Sequence, residues 1–425
     1  MDPTTTCCPN ENCPARGQSG QGNIGIHSQK EQRFICHACH TTFSARKGTV
    51  FYRLRTSAET VVIVVTLLAH GCPVQAIVAA FGFDERTVAD WWARSGRQGQ
   101  AVQEYLVEQP RDLGQVQADE LRVKKQGGIV WMALAMMVTT RLWLGGEVSE
   151  QRDLPLSRRL IERVRRCAAH RPLLVCTDGL VSYIRAIRET FRDPVPTGKG
   201  GRPRLRPWRN VLIAQVVKRY ARRRVVATDR RIVDGTPTRV ETLRRRSQGN
   251  GVINTAYIER LNATFRERLA PLARRCRALA RHTLTLHEGM FVVGTVYNFC
   301  TPHESLGRAQ QTTPAMAAGI TDHCWTMQEL LSFHVPLPRW APPKRRGRPS
   351  RAFQRLIERW CSWPRFSAEL SSIGLEVESS YCLHRFSTNH EIRWNQDFST
   401  ACLISMRCKP VGTGLALPQP TRSSP

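Results

Sequence analysis

The sequence predicts a multidomain α/β protein that begins with a small metal-stabilised module, continues with a helical domain and then forms a larger α/β domain. Two short cysteine pairs stand within 1–52, apolar residues follow helical spacing over 55–100, and strand-like runs alternate with helix-like runs over 112–335. A chain of 425 residues is also too long for one ordinary domain. We therefore expect two or three domains with separate cores.

The charge balance points to a polyanionic partner. The chain has 63 Lys and Arg residues against 34 Asp and Glu residues, a formal net charge of +29 and a pI near 10.5. Few soluble enzymes that act on small molecules need such an excess, whereas Lys and Arg displace the counterions that condense on a phosphate backbone. Nucleic acid is the partner that the composition favours, although ribosomal or membrane-surface binding gives the same sign of charge.

The sequence predicts a protein of the reducing cytoplasm that does not enter a membrane. Met1, Asp2 and Pro3 lead into cysteines rather than into the apolar core of a signal peptide. The longest apolar stretch, 61–69, falls well short of the ~20 residues that a bilayer requires. The 15 cysteines are odd in number and scattered, which fits free thiols and a metal site better than a disulfide framework.

The first module contains two cysteine pairs, Cys8 with Cys13 and Cys36 with Cys39. Two pairs on short turns, separated by a segment that can fold back as a hairpin, are what a tetrahedral four-cysteine zinc site requires. Cys7 competes with Cys8 for the first position, and His37 and His40 are weaker candidates. The alternative is free cysteines in a small core, but the module has too few apolar residues to fold without a metal. We predict a zinc ribbon with structural Zn²⁺.

The second module is predicted to be three short helices. Thr56 and Glu59 form a capping box for the first helix, Pro73 can begin the second, Gly82 makes a tight turn and Asp84 caps the third. Two helices joined by a glycine-containing turn are typical of a helix-turn-helix. A helical hairpin inside a larger core is the alternative.

In a helix-turn-helix the first residues of the last helix face the base edges of the DNA major groove. The residues predicted to do so are Glu85, Arg86, Thr87 and Asp90. Val88 and one of Trp91 and Trp92 should pack inside, and the helix should end near Gly96.

The third module alternates strands and helices in a recognisable order. The predicted elements are strands at 115–123, 129–138 and 142–148, a helix at 157–169, a strand at 172–177 and, much later, a helix at 254–269. Three strands, a helix, a strand and then further helices follow the order of the ribonuclease-H-like fold. The fold places Asp119 on the first strand, Asp178 at the end of the fourth and Glu259 on a helix beside them.

Three carboxylates that converge in this way can hold two Mg²⁺ ions about 3.5 to 4 Å apart. Taken singly, each has a structural alternative: Asp119 as a surface residue of a strand, Asp178 as part of a turn and Glu259 as half of a helix-surface ion pair. Glu120 and Asp229 are other available acids. Because neighbouring strand residues point to opposite faces, Glu120 is not expected to share the metals of Asp119.

Seven stretches carry a resemblance to a known family: RFICHACHTTFSARKGT, AAFGFDERTVADWW, QADEL, CTDGLVSY, NTAYIERLNATFRERL, YNFCTPHESL and TTPAMAAGI. They occur in family order over 7–350. The sequence resembles transposases of the insertion-sequence-one kind, which combine an amino-terminal zinc ribbon, a helix-turn-helix and a DDE catalytic domain. The tail after Arg351 does not match.

The resemblance implies that Asp119, Asp178 and Glu259 are the catalytic triad, with Asn262 and Arg266 as supporting residues. It implies metal-dependent cleavage at element ends and strand transfer into target DNA. Tyr297, Asn298 and His303 match a downstream motif, to which we assign packing or DNA contact. The expected partner is double-stranded DNA, bound by a homo-oligomer that is at least a dimer, in the bacterial cytoplasm and associated with the nucleoid.

Two further segments are strongly basic. A predicted insertion at 192–252, between the second and third acids, should bind DNA phosphates through residues that include Lys199, Arg202 and Arg204. A linker at 336–352 resembles an AT-hook, whose extended Arg-Gly-Arg core can enter a narrow minor groove; its residues are Arg345, Arg346 and Arg348. The alternatives are a solvated charged face and a plain basic linker.

The predicted domains are a zinc ribbon at 1–52, a helix-turn-helix domain at 53–100, a ribonuclease-H-like domain at 112–335, the linker at 336–352 and a poorly ordered tail at 353–425. Two other functions compete with transposition. A DNA-binding regulator or inactive transposase remnant would need the first two modules but no triad, whereas a ribonuclease-H-like nuclease would need no pair of sequence-reading modules.

Overall fold

The computed structural model describes residues 1–195, 198, 201–222, 224–273, 279–307, 311–342 and 347–361. The chain divides into two compact units, Met1–Ser350 and Arg351–Pro425. In the second unit the described part is the helix Arg351–Cys361. The first residues of the tail that was predicted to be poorly ordered are therefore helical. Residues 362–425 of that tail lie outside the described residues.

The amino-terminal module is a small antiparallel sheet. Its strands, in order across the sheet, are β1 (Ile24–Ser28), β2 (Arg33–Cys36) and β3 (Thr42–Ser44). Phe34 on β2 lies opposite Phe43 on β3, and the two rings are 5.8 Å apart. The core of this module is small, and a module of this size commonly depends on a metal or another cross-link for its stability.

Three helices follow: α1 (Ala58–Ala69), α2 (Val74–Phe81) and α3 (Glu85–Val102). The N-cap of α1 is Ser57, whose hydroxyl accepts from the Thr60 amide, so the capping box predicted at Thr56 and Glu59 is wrong by one residue. Gly82 takes the left-handed conformation predicted for the turn after α2, and the Asp84 carboxylate accepts from the Arg86 amide at the start of α3.

The central sheet has six strands. They are β4 (Gln115–Lys125), β5 (Gly128–Met137), β6 (Trp143–Ser149), β7 (Leu173–Asp178), β10 (Val211–Ala221) and β11 (Arg224–Asp234), in the spatial order β11-β10-β7-β4-β5-β6. Strands β4, β7 and β10 are mutually parallel, whereas β5 and β6 form an antiparallel meander on β4. This arrangement is compatible with the ribonuclease-H-like fold.

The segment predicted as a basic insertion contributes two strands to this sheet. Strand β10 pairs with β7 through Val216 opposite Asp178, and β11 continues the sheet beyond it. Outside the central sheet, β8 (Arg192–Val195) and β9 (Arg204–Pro207) form a two-stranded ribbon. The arginines of β11 lie at exposed positions. They interrupt the apolar alternation by which a strand is predicted, so β11 was not predicted from the sequence.

Helices cover both faces of the sheet. They are α4 (Leu154–Cys167), α5 (Val181–Thr190), α6 (Pro237–Gln248), α7 (Ala256–Arg268), α8 (Thr283–Thr295), α9 (Pro314–Ala317) and α10 (Met327–Ser332), and the helix of the second unit is α11 (Arg351–Cys361). One core packs α4 and α5 on one face of β4 and β5, and a second packs α7 and α8 on the other. None of the helices in the described ranges has the length and apolar composition that a bilayer crossing needs.

Helix α3 runs past its predicted end at Gly96 because it packs closely on α8. A Cβ on Gly96 would lie 2.7 Å from the Glu288 Cα, and one on Gly99 would lie 3.0 Å from the Phe291 carbonyl oxygen. The glycines therefore permit a close helix crossing instead of ending the helix. The predicted domain boundary at residue 100 falls inside α3, whose Trp91 and Val102 belong to the core that continues into the sheet.

Candidate metal centres and nucleic-acid surfaces

The four predicted cysteine ligands form one group. All four sulfur atoms lie within 4.8 Å of one another, with 3.6 Å between the Sγ atoms of Cys8 and Cys39 and 3.8 Å between those of Cys13 and Cys36. A tetrahedral ion bonded to sulfur at about 2.3 Å needs sulfur atoms about 3.8 Å apart, whereas a disulfide needs about 2.05 Å. The donor set thus fits a structural metal ion.

Local contacts prepare this group for a metal. Burial opposes ionisation of Cys39, but hydrogen bonds from Thr41 outweigh it and lower the pKa of Cys39 to about 6. Burial raises the pKa of Cys8 and Cys13, and a bound cation would offset that shift by stabilising their thiolates, the form that binds metals. Among the described residues, neither Cys7 nor the neighbouring histidines belong to the group.

The structure also brings together three carboxylates, those of Asp119, Glu120 and Asp178, with oxygen atoms within 4.8 Å of one another. Strand β4 pairs with β7 only as far as Ala118 opposite Thr177. Each strand therefore delivers its acid where the pairing ends. Hard divalent cations such as Mg²⁺ prefer such oxygen ligands.

Glu120 belongs to this acidic group, contrary to the expectation from strand alternation. The alternation itself holds, since Asp119 accepts from Asn262 on α7 and Glu120 accepts from Tyr183 on α5, at the opposite face. Strand β7 ends at Asp178, and its pairing with β4 stops at Ala118. Beyond that point side chains from both faces of β4 can approach the Asp178 carboxylate. A Glu120 variant therefore cannot serve as a control that leaves the acidic group intact when Asp119 is replaced.

The electrostatics of the group favour a cation. Burial, followed by the charges of Glu120, Asp178 and Glu259, raises the pKa of Asp119 to about 7. Burial and Asp178 also raise the pKa of Glu120, although Arg152 and Tyr183 oppose the shift. Arg152 bridges Glu120 and Asp178, so the unliganded group already draws in one positive charge. A divalent ion would relieve the same repulsion more fully.

Glu259 lies on α7 but outside the close acidic group. Its carboxylate accepts from Lys218 on β10 at 2.5 Å and from the Thr255 hydroxyl at 3.0 Å. Its charge still acts on Asp119. The third predicted acid thus approaches the site from the expected helix, with Lys218 as its present counterion. Asp229, the other acid considered from the sequence, forms an ion pair with Arg219 on the edge of the sheet.

Asn262, predicted as a supporting residue, contacts the first acid directly. Its side chain is buried, and its Nδ2 donates to Asp119 Oδ2 at 2.7 Å. Its Oδ1 is buried and has no hydrogen-bond partner among the described residues. Arg266, one helical turn further along α7, is half-buried. Asn262 thus fixes the orientation of Asp119 and leaves one acceptor for a further donor.

Two buried glutamines that the sequence did not single out hold the acid-bearing segments. Gln117 on β4 accepts from the Ile258 amide at 3.0 Å and donates to the Asn254 carbonyl at 2.7 Å, which fixes the first turn of α7. Gln215 on β10 donates to the Asp178 carbonyl at 2.9 Å. Gln117 stands two residues before Asp119 on the same strand, so strand alternation predicts that both side chains point to the same face. Its hydrogen-bond partner Ile258 is 141 residues away and could not be predicted from the strand.

The predicted DNA-contacting residues have different surroundings. Glu85, Arg86 and Thr87 are exposed at the start of α3, whereas Asp90 is paired with Arg94 at 2.6 Å. Val88 and Trp91 pack inside, as the helical spacing predicted. The basic residues that the structure describes are also exposed: Arg202, Arg204 and Arg348. Lys199, Arg345 and Arg346 lie outside the described residues.

The downstream motif consists of two buried residues, Tyr297 and Asn298, and the half-buried His303. Asn298 is fully buried; its Oδ1 accepts from the Trp143 amide at 2.9 Å, and its Nδ2 donates to the Trp143 carbonyl at 2.9 Å. Tyr297 donates to the Arg141 carbonyl at 3.1 Å and packs edge-on against His303. Asn298 therefore secures β6 to the segment that follows α8.

Comparisons with known proteins give limited results. No protein-family model matches the sequence, and no curated protein matches it. Among solved structures, the chain is similar to a piggyBac transposase, solved by cryo-electron microscopy as a synaptic complex with hairpin DNA. The two share 8% sequence identity, with 84% of this chain and 81% of that chain covered and a TM-score of 0.33.

Proposed function

We propose that this protein is a metal-dependent DNA transposase. The observation that carries the proposal is the group formed by Asp119, Glu120 and Asp178 at the point where adjacent parallel strands end, in a chain with a net charge of +29. A polyanionic substrate and a carboxylate cluster for divalent cations are the two requirements of phosphodiester cleavage and transfer.

In this proposal Asp119, Asp178 and Glu259 hold two Mg²⁺ or Mn²⁺ ions, and Glu120 is a fourth carboxylate available to the same site. Bound metal would lower the pKa of the attacking water or 3′-hydroxyl and stabilise the leaving oxygen. Asn262 holds Asp119 in place, and Gln117 fixes the first turn of the helix that carries Glu259. Lys218, which now pairs with Glu259, would be displaced from that carboxylate if Glu259 held a cation.

The reaction has two phosphoryl transfers and no covalent enzyme intermediate. Water attacks a phosphorus atom at the element end, the P–O3′ bond breaks, and the 3′-oxygen leaves as a hydroxyl. That 3′-hydroxyl then attacks a phosphodiester of the target strand, and the 3′-oxygen of the target leaves in turn. Each step forms one P–O bond and breaks one: the first converts a phosphodiester into a phosphomonoester and a free 3′-hydroxyl, and the second exchanges one phosphodiester for another. Neither step therefore needs a redox partner.

The amino-terminal modules would supply DNA recognition. The four-cysteine group would hold structural Zn²⁺, and α2 and α3 would act as a helix-turn-helix with Glu85, Arg86 and Thr87 at base edges. Cleavage at two element ends would require at least a dimer on DNA. We also propose that the transposase is of the insertion-sequence-one kind, which its sequence motifs resemble.

The activity itself is the first test. Purified protein, incubated with DNA that carries the sequences flanking its coding region and with a plasmid target, should nick the ends and join them in Mg²⁺ or Mn²⁺. Ca²⁺ should not support the reaction, because its longer bonds and looser geometry do not align the attack. Metal loading, and with it the rate, should rise with pH through 7, because the pKa of Asp119 is raised to about 7 and protons compete with the metal below it.

Gel separation of cleaved and joined products distinguishes the competing functions. Binding without metal-dependent cleavage would leave a DNA-binding regulator, and cleavage without joining of the 3′ ends would leave a nuclease. Either result contradicts the proposal.

The exposed start of α3 provides a second test. Replacing Arg86 and Thr87 with alanine should weaken binding to element ends more than binding to random duplex DNA, because base contacts carry specificity whereas phosphate contacts carry affinity. Each good base contact contributes about 1 to 3 kcal/mol of discrimination, or roughly 5- to 150-fold. Gln100→Ala, at the far end of the same helix, is the matched control. Equal losses on both DNAs, measured by fluorescence anisotropy, would instead place α3 against the DNA backbone.

A further inference from the structure

Helix α7 carries a second charged surface beside the acidic site. Arg260 and Arg268 lie eight residues apart on this helix, and Arg141, in the turn between β5 and β6, places its guanidinium 4.1 Å from the centre of the Tyr257 ring. His303 lies close enough to all three arginines to feel their charge. We call Arg141, Arg260 and Arg268, with Tyr257 and His303, the α7 basic cluster.

In the described part of the chain none of the three arginines of the cluster forms an ion pair, and the charge of the neighbouring Glu267 acts on Arg268 only from a distance. Arg268 is half-buried, and both described hydrogen bonds of its guanidinium go to the neutral Thr301 hydroxyl at 3.4 Å. Arg163, by contrast, is buried against Glu108 and Glu147. Burying a charge without a partner is costly, so Arg268 calls for an anion from outside the chain.

The backbone at Arg141 supports the same interpretation. Arg141 has a φ of +61°, a left-handed conformation that residues other than glycine rarely adopt. The Tyr297 hydroxyl holds this conformation by donating to the Arg141 carbonyl at 3.1 Å. The strained turn keeps the guanidinium over Tyr257, on the side of the sheet that α7 covers.

His303 is suited to a neutral role in the cluster. Its ring packs edge-on against Tyr297, with the ring centres 4.7 Å apart. Burial and then the nearby arginines lower the pKa of His303. A neutral imidazole keeps an N–H group that can donate to a phosphate oxygen.

The position of the cluster links the two proposed DNA-handling regions. Arg260 follows Glu259, the acid that approaches the acidic group from α7, so this end of the cluster begins one residue from Glu259. At the other end, a Cβ on Gly71, between α1 and α2, would lie 3.5 Å from the Arg268 Cα. Eight helical residues span about 12 Å, a length over which one strand of B-DNA presents about three to four phosphates.

We infer that the α7 basic cluster binds consecutive backbone phosphates of a DNA strand and leads that strand from the three-helix module to the carboxylates. The inference rests on the proposed function for the identity of the strand, but the site is defined by its own residues. A second chain or an acidic protein segment would offer carboxylates instead, and the test separates these ligands from DNA.

The test measures how DNA affinity depends on salt. The probe is a fluorescein-labelled 30-base-pair duplex of random sequence, titrated with the full chain in EDTA at several KCl concentrations. Each phosphate contact contributes about 0.9 to the slope of log K against log salt. The double variant Arg141→Gln with Arg260→Gln should therefore lower the slope by about 2 and weaken binding at least several-fold, whereas lysine at both positions should restore the slope.

Two comparisons keep the result specific. Arg185→Gln, an exposed arginine of α5 that is paired with Glu189, should leave the slope unchanged. Arg260→Gln alone, a change of an exposed side chain, should lower the slope by about 1 even if Arg268 or Arg141 variants fold poorly. An unchanged slope in the double variant, with an unchanged melting temperature, overturns the inference.

The outcomes also separate this inference from the proposed function. Wild-type protein that cuts and joins DNA while the double variant keeps the full salt slope would refute the cluster and leave the transposase proposal standing. A lowered slope in a protein that never cuts DNA in Mg²⁺ would refute the transposase proposal and leave the cluster as a DNA site. Binding of an acidic peptide that the same variants abolish, with duplex binding intact, would assign the cluster to a protein partner and overturn the inference.

Discussion

Replacing Asp119 or Asp178 with asparagine should reduce DNA cleavage and strand transfer by on the order of 10³-fold or more, because metal catalysis of this kind supplies several kcal/mol and each 1.4 kcal/mol is a factor of ten. Asparagine keeps the size of the side chain but removes the negative charge that holds a divalent ion. DNA binding should persist or tighten, since the lost carboxylate repelled the DNA. Single-turnover cleavage and anisotropy titrations measure the two effects.

Asp229→Asn is the matched control for these variants. Asp229 lies on β11 of the same sheet, but its carboxylate is exposed and paired with Arg219, away from the acidic group. The control should cut at the wild-type rate. Cleavage retained in Asp119→Asn would show that this residue holds no metal and that the active carboxylates must be sought elsewhere.

Glu120→Gln and Glu259→Gln complete the same experiment. Glu120 lies within 4.8 Å of the other two carboxylates, whereas Glu259 reaches the site only through its charge and its pairing with Lys218. If α7 delivers the third ligand when metal binds, both variants lose Mg²⁺ affinity, and Glu259→Gln loses cleavage. Full cleavage in Glu259→Gln with loss in Glu120→Gln would make Glu120 the third acid.

Replacing Cys36 with serine should remove bound zinc and the order of the amino-terminal module. Wild-type protein should carry about one zinc ion per chain, because the four sulfur atoms lie within 4.8 Å of one another and two of the pairs are 3.6 and 3.8 Å apart, close to the tetrahedral value. The effect should be large, since structural zinc contributes roughly 10 to 16 kcal/mol of apparent binding free energy in small modules. Elemental analysis gives the stoichiometry, and amide hydrogen exchange over 1–52 gives the loss of order.

Cys7→Ser is the control for the zinc experiment. Cys7 adjoins Cys8 in the sequence but lies outside the sulfur group, so its replacement should keep both zinc and amide protection. Stoichiometric zinc in Cys36→Ser would remove Cys36 from the ligand set. Zinc lost from both variants would instead mean that the amino-terminal turn is more sensitive to change than the four-ligand geometry implies.

Local signals in the sequence predicted several elements of this protein. Strand β4 begins at Gln115 as predicted, and α7 spans Ala256–Arg268 within the predicted 254–269. These features depend on alternation, turn residues and apolar spacing, all of which act over a few neighbouring residues. The four-cysteine group could be predicted for the same reason, because each cysteine pair occupies one short turn.

The tertiary structure alone decided which side chains meet. Glu120 joins Asp119 because β7 ends early beside β4, and no pattern within either strand records that end relative to the other. Helix α3 continues past Gly96 because α8 packs against it, although glycine by itself favours a helix end. Strand β10, read as part of a basic insertion, completes the sheet beside Asp178. Each of these features depends on the register between segments far apart in the chain, which local preferences do not specify.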